Sequence, residues 1–337
     1  MKIALRSVYR ANNTNAPSRI DFLRECAAQD CWKNHSLVED ESAADAILIT
    51  EAWRHQDLPF FLKVLFSRYG SNYSNKTFVY CDSDSGGYLG QGFYPSVTKN
   101  VILDGRQFSC PYITPVMKRF ESKVIRNQIH GPPYLFSFVG SASSHKCRRK
   151  ILNIEHARSL LIDTSNSWKF TESQPADSER LQKDYVNSLL SSKFVLCPRG
   201  KGSSSFRVFE TMACGRVPVV ISDSWCEPHG LAWNTFAIRI AEDNITNISS
   251  ILEMKESHWE HMAALSLMNY KKFFSTASLF NYLGDQMEEA LKVMNSSARI
   301  GGGQIRKRVR SCFILSMDEL IYQSRGLRRL TRRLGSK

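Results

Sequence analysis

Short, uninterrupted apolar runs alternate along this chain with segments of helical period, and that alternation predicts its fold class. Residues 44–50 (ADAILIT), 77–81 (TFVYC) and 194–197 (FVLC) are apolar stretches bounded by polar residues, the form taken by strands buried on both faces. Residues 2–8 read as a further strand, 19–29 as a helix, and 58–69 as an amphipathic helix. The same rhythm returns after the pair Pro132-Pro133. Strands are expected at 134–139, 159–162, 194–197, 217–221 and 236–240. Helices are expected from about Lys146, over 179–191, from Ser203–Ser205 to about Cys214, and through 249–294. Strands alternating with helices predict two α/β halves, each a doubly wound parallel sheet. The expected boundaries are 1–132, 133–298 and a tail of 299–337.

Length and composition agree with this. A chain of 337 residues holds two domains that can each bury a core. No run approaches the roughly 20 apolar residues of a membrane span, and the opening MKIALRSVYR lacks signal-peptide architecture. The nine cysteines are scattered without CxxC spacing, so neither a zinc site nor a disulfide framework is indicated. The expectation is a cytoplasmic protein with reduced thiols. The formal charge of +13 is uneven: residues 299–337 carry eleven Arg or Lys against two acids, hence +9. Apolar residues from Ile305 to Leu334 interleave with these basic clusters, so the tail suits an anionic membrane surface. A solvated tail is the plainer alternative. No aromatic stacking platform supports nucleic-acid binding.

The candidate chemistry lies mainly in SKFVLCPRGKGSSSFRVFETMACGRVPVVISD, residues 192–223. A strand runs into a Gly-rich loop and then a helix. Arg199, Lys201 and Arg207 surround the helix start, Gly200 and Gly202 let the backbone approach a ligand, and Ser203, Ser204 and Ser205 can cap the helix. A helix N-terminus with free N–H groups and adjacent cations suits a diphosphate. Glu210 shares a helical face with Arg207 and can accept hydrogen bonds from ribose hydroxyls. A second candidate segment is Gly140 to Lys150, where Arg148 or Arg149 can stand near the same diphosphate.

These residues resemble the exostosin-like glycosyltransferases, glycosyltransferase family 47. Ser192, Lys193, Phe194, Leu196, Pro198, Gly200, Gly202, Ser205, Arg207, Glu210, Gly215, Pro218, Val219 and Asp223 stand where that family's segment has them. Tyr134 to Ser141 followed by Arg148-Arg149-Lys150 resembles its upstream strand and basic helix start. The resemblance covers about residues 134 to 275. It implies a GT-B enzyme, two Rossmann-like domains facing a cleft, that inverts the anomeric centre. It further implies a nucleotide-sugar donor, taken as a UDP-sugar and a substrate, so no cofactor is expected.

An inverting transfer needs a general base for the acceptor hydroxyl. Asp82 and Glu51, each after a buried strand, are the candidates chosen. His55, Asp84, Asp104 and His229 also lie in loops. Asp82-Ser83-Asp84 has two further readings, an ordinary turn or the metal-holding pair of a GT-A enzyme. Trp225 fits a stacking wall or the core. The expected function is addition of one sugar to a glycan or lipid-linked acceptor in polysaccharide assembly, without metal, in the cytoplasm or at the membrane periphery. The alternatives are a fucosyltransferase-like GDP-sugar enzyme, the metal-dependent enzyme, or a non-catalytic partner subunit.

Overall fold

The computed structural model describes residues 1–8, 19–50, 57–84, 90–121, 131–166 and 175–296. Glu51, His55 and the basic segment 299–337 lie outside them. The chain packs as two compact units, each around its own sheet. The first takes residues 1–113, 224–229 and 280–296, and the second takes 114–223 and 230–279.

In the first unit β1 (Lys2–Arg6), α1 (Arg19–Gln29), β2 (Ser36–Leu37), β3 (Ala46–Thr50), α2 (Asp57–Leu65), α3 (Arg68–Ser71), β4 (Thr77–Tyr80), β5 (Gly92–Phe93) and β6 (Gln107–Phe108) follow in order. Every strand pairing is parallel, in the order β2-β1-β3-β4-β5-β6. All residues of β3 and β4 are buried, which is why their sequences read as continuous apolar runs. The single helix expected over 58–69 is two. Ser67 donates to the Val64 carbonyl and accepts from Tyr69 N–H, so it ends α2 and caps α3.

The second unit holds α4 (Lys118–Glu121), β7 (Tyr134–Gly140), α5 (Lys146–Leu152), β8 (Ser159–Asp163), α6 (Pro175–Leu190), β9 (Ser192–Pro198), α7 (Phe206–Ala213), β10 (Val217–Ile221), β11 (Ile238–Arg239), α8 (Ile248–Lys255) and α9 (Trp259–Phe273). Its sheet is also wholly parallel, in the order β11-β10-β9-β7-β8. Phe136, Phe138, Phe194, Leu196, Val217 and Val219 form its centre. Strand order reverses between β7 and β9, and such a switch point opens a crevice at the carboxyl ends of the strands.

The expected break near Pro132-Pro133 falls inside the second unit, which already begins at Thr114. Glu121 explains the difference. Its carboxylate accepts from Tyr270 Oη, Thr276 N and Thr276 Oγ1, tying α4 to the end of α9. The last helix of the described residues, α10 (Leu279–Ser296), passes back to the first unit, where Asp285 pairs with buried His35 at 2.9 Å. Segment 224–229 also returns there. Trp225 is fully buried and donates its indole N–H to the Pro95 carbonyl at 2.8 Å, and Cys226 N–H donates to Val97. Of its two readings, core packing is the one observed.

Candidate donor-binding site

At the β7/β9 switch point the sequence turns from strand to polar loop, and the candidate residues collect there. β9 ends at Pro198, and Arg199 N–H extends the pairing by donating to the Ile221 carbonyl. The loop then leads through buried Ser203, Ser204 and Ser205 into α7. Ser205 holds the extended backbone of an N-cap, but its hydroxyl makes no capping bond. The side-chain capping expected of these serines is therefore not made by Ser205. The hydroxyls of Ser204 and Ser205 are buried without a partner, as is Arg199 Nε. Leaving a buried polar group unpaired costs about 1–3 kcal/mol, so this loop is built around polar groups that its own fold leaves unsatisfied. At the far end of α7, Gly215 takes φ 61 and stops the helix as expected.

Beneath the loop, two arginines lock the strand ends together. Arg148, 7% exposed, donates from Nε to the Arg199 carbonyl (2.9 Å), from Nη2 to the Pro198 carbonyl and from Nη1 to Ser144 Oγ (both 3.2 Å). A Cβ on Gly200 would stand 3.2 Å from Arg148 Nη2. Gly200 thus serves the arginine's close approach as well as any ligand's. Its neighbour Arg149 is exposed, so of the expected pair only Arg148 reaches the loop. Arg207 donates to the Val139 carbonyl from Nε (3.1 Å) and Nη2 (2.6 Å), with its guanidinium over the Phe138 ring at 5.0 Å. A Cβ on Gly140 would lie 2.2 Å from Arg207 Nη2, so only glycine ends β7 this way.

Glu210 is brought under the same loop, buried, with its Oε2 accepting from Tyr185 Oη. Burial pushes its carboxyl above the ordinary value against the pull of Tyr185 and Arg207. Expected as an acceptor for ribose hydroxyls, Glu210 here accepts from a tyrosine on α6. Tyr185 itself was missed. Its only sequence signal is an aromatic on the buried face of a helix that ends two residues before β9.

Three more residues lie on this edge, and of these only Asp223 belongs to the motif. His145 precedes α5, where its Nδ1 accepts from Cys147 N–H. Asp223, after β10, and Glu242, after β11, bond reciprocally: Glu242 N–H donates to Asp223 Oδ1 at 3.1 Å, and Asp223 N–H donates to Glu242 Oε1 at 3.3 Å. An acid just past a predicted strand was the available signal for Glu242.

A family model, the exostosin GT47 domain, matches residues 91–255. About half of the chain is thus similar to the exostosin GT47 domain. The match spans the whole loop and begins well before Tyr134, where the motif resemblance began. Similar stretches occur in curated proteins. An Exostosin-1 homolog of Caenorhabditis elegans is 38% identical over 132 residues, 35% of this chain and 35% of that protein. Ribitol-5-phosphate xylosyltransferase 1 of Mus musculus is 28% identical over 92 residues, 26% of this chain and 20% of that protein. The chain thus spans about a third or less of the length of these relatives. A glycosyltransferase from Rickettsia africae aligns over 86% of this chain and 85% of its own, at 10% identity and a TM-score of 0.40. At that score the alignment bears no weight, and the fold rests on the strand orders above.

The first unit holds the carboxylate candidates. Asp82 is paired with the Arg19 guanidinium, and both side chains are mostly buried. Burial raises the Asp82 carboxyl above its usual value, opposed by Arg19. A divalent ion at Asp82-Ser83-Asp84 would have to displace that arginine, which weighs against the metal reading. Asp84 and Asp104 are exposed. His229 lies edge-on to Phe108, with ring centroids 6.5 Å apart.

Proposed function

We propose that the chain is a glycosyltransferase whose second unit binds a nucleoside-diphosphate sugar at the carboxyl ends of β7, β9 and β10. The observation that carries this reading is the loop of residues 198–205 at the β7/β9 switch point, with Arg199 and two buried, unpartnered serine hydroxyls at the start of α7. Its place inside the stretch similar to the exostosin GT47 domain supports the same reading. The donor's diphosphate would take hydrogen bonds from the α7 N-terminus, Ser204, Ser205 and Arg199. These fixed dipoles and charges stabilise the negative charge that grows on the leaving diphosphate. Arg148 and Arg207 act beneath, holding the loop carbonyls and the end of β7 so that the donors stay aimed.

Inversion at the anomeric carbon requires a base for the acceptor hydroxyl. Asp82, whose proton affinity burial raises, suits that task, and Glu51 remains the other candidate. The sugar is proposed to pass to a glycan or lipid-linked acceptor in polysaccharide assembly. Location in the cytoplasm, with the basic segment 299–337 on anionic lipid, completes the proposal. Among the described residues no helix is long and apolar enough to cross a membrane.

Calorimetric titration of the full chain with UDP and GDP tests the reading. UDP should bind with 1:1 stoichiometry, and a UDP-sugar should raise the melting temperature, because a ligand of the folded state stabilises it. If neither nucleotide binds, the enzyme reading falls and the non-catalytic subunit takes its place. Activity lost to EDTA and restored by manganese would sink the metal-free form. Cosedimentation with anionic but not neutral vesicles tests the lipid contact.

A further inference from the structure

Glu242 is an acid placed where the proposed ligand is an anion. Its backbone anchors to Asp223, and its carboxylate lies near two cation-bearing or N–H-bearing groups without a hydrogen bond to either. Oε1 is 3.8 Å from Arg199 Nη1, and Oε2 is 3.9 Å from His145 Nε2. The carboxylate thus joins the ends of three neighbouring segments: the turn after β7, the loop after β9 and the turn after β10. Its side chain is 17% exposed, and that of Arg199 is 22% exposed.

The two groups opposite are prepared for something closer. Arg199 spends Nη2 on the Lys201 carbonyl at 3.2 Å, leaving Nε buried without a partner and Nη1 only loosely engaged. Guanidinium forks meet phosphate through paired N–H bonds, shorter than 3 Å. His145 has its tautomer set by Cys147. Nδ1 accepts from Cys147 N–H and lies 3.0 Å from Cys147 Sγ. Burial pushes that thiol up to about 11, so it keeps its proton. The neutral ring therefore carries its proton on Nε2, the atom aimed at Glu242. The charges of Arg199, Glu242, Lys146 and Arg148 act on this ring, which Cys147 touches. Burial first, then Arg199, lowers its pKa below the ordinary histidine value.

We infer that Glu242 is a built-in competitor for the donor's diphosphate: its carboxylate stands between Arg199 and His145 where a phosphate oxygen takes over on binding. This rests on the donor-binding reading above. In the empty site the carboxylate keeps Arg199 and the loop charge-balanced. When a nucleoside diphosphate enters, Arg199 and His145 Nε2–H exchange a loose carboxylate for close phosphate contacts. After sugar transfer, Glu242 is ready to reclaim them, which speeds departure of the nucleoside diphosphate, a step that limits turnover in many enzymes.

The test is UDP affinity of Glu242→Gln in the full chain, measured at low and at ordinary ionic strength. Glutamine keeps an acceptor for Asp223 N–H and removes the charge. Binding should tighten about tenfold at low salt, the scale of one unit charge removed near an anion at a partly hydrated site. The gain should shrink as salt rises. Adding Arg199→Met to Glu242→Gln should abolish it. Glu242→Ala provides a second charge-removing variant should Glu242→Gln melt early, with the same tightening expected. Unchanged or weaker UDP binding in a folded charge-removed variant overturns the inference. Absence of UDP binding to the unaltered chain overturns instead the donor-binding reading on which it rests.

Discussion

Replacing Arg148 with methionine separates a residue that touches the donor from one that shapes the loop. Methionine keeps an unbranched apolar stem and removes the guanidinium, with its place over the Phe138 ring and its bonds to Arg199, Pro198, Ser144 and Ser141. The two shorter carbonyl bonds, to Arg199 and Pro198, come from a charged, 7% exposed group, and bonds of that kind contribute about 1.5 kcal/mol each at the low end. The expected loss is about 3 kcal/mol. For a unit of this size each kcal/mol moves the midpoint by about 2–4 °C, so thermal unfolding should fall by about 6–12 °C. Arg148→Lys should fare nearly as badly, since one ammonium cannot span both carbonyls. UDP affinity should drop at least about tenfold in both, because the loop loses its shape. Circular dichroism melts paired with calorimetric titration make the measurement. Weakened UDP binding at an unchanged melting point would refute the clasp and return Arg148 to direct contact with the diphosphate.

Three further outcomes follow from the same geometry. Gly140→Ala places a Cβ 2.2 Å from Arg207 Nη2; it should expel the guanidinium from Val139 and Phe138, cost about 2 kcal/mol and weaken UDP binding in the same titration. Glu210 has a folded pKa raised above its ordinary 4.5, with burial as the chief cause. Its contribution to stability therefore falls as pH rises from about 4.5 through the folded value, and the cost is complete above that value. Glu210→Gln should accordingly melt higher at pH 7 by about 1 kcal/mol, with the gain vanishing near pH 4, while UDP binding falls if the carboxylate reads ribose. Glu256 is the opposite case: bonds from Arg158 and Lys193 lower it to about 2. Its stabilisation is present above about 4.5 and lost between pH 4.5 and 2. Screening at the surface limits it to about 1 kcal/mol, which chemical denaturation of Glu256→Gln across that range measures.

The long elements were legible because burial on both faces writes itself as a continuous apolar run. β3, β4, β9 and β10 all announced themselves so. The two-residue strands β2, β5 and β6 did not, since Ser36–Leu37, Gly92–Phe93 and Gln107–Phe108 carry no period to detect. In the site, the loop and its arginines were readable as a motif, but their directions were not. Nothing in the spacing says that Arg148 faces carbonyls while Arg149 faces water, or that Glu210 meets Tyr185. His145, Asp223 and Glu242 meet because the ends of β7, β10 and β11 lie along one edge of a sheet, and pairing order is a long-range property. Nor does the boundary at Pro132-Pro133 follow from local composition, since Glu121 belongs to the second unit through partners about 150 positions away.

The return of residues 224–229 to the first unit means that neither unit is one continuous piece of chain. Four covalent passages join them, at 113/114, 223/224, 229/230 and 279/280. Cutting after residue 132 would strip the amino-terminal half of Trp225, whose burial is complete, and of α10 with Asp285. The carboxyl-terminal remainder would keep an indole and a helix face with nothing to pack against. Genetically, then, the second unit behaves as a cassette with its neighbour's parts threaded through it, and moving it between chains requires exchanging residues 114–223 and 230–279 around a retained 224–229.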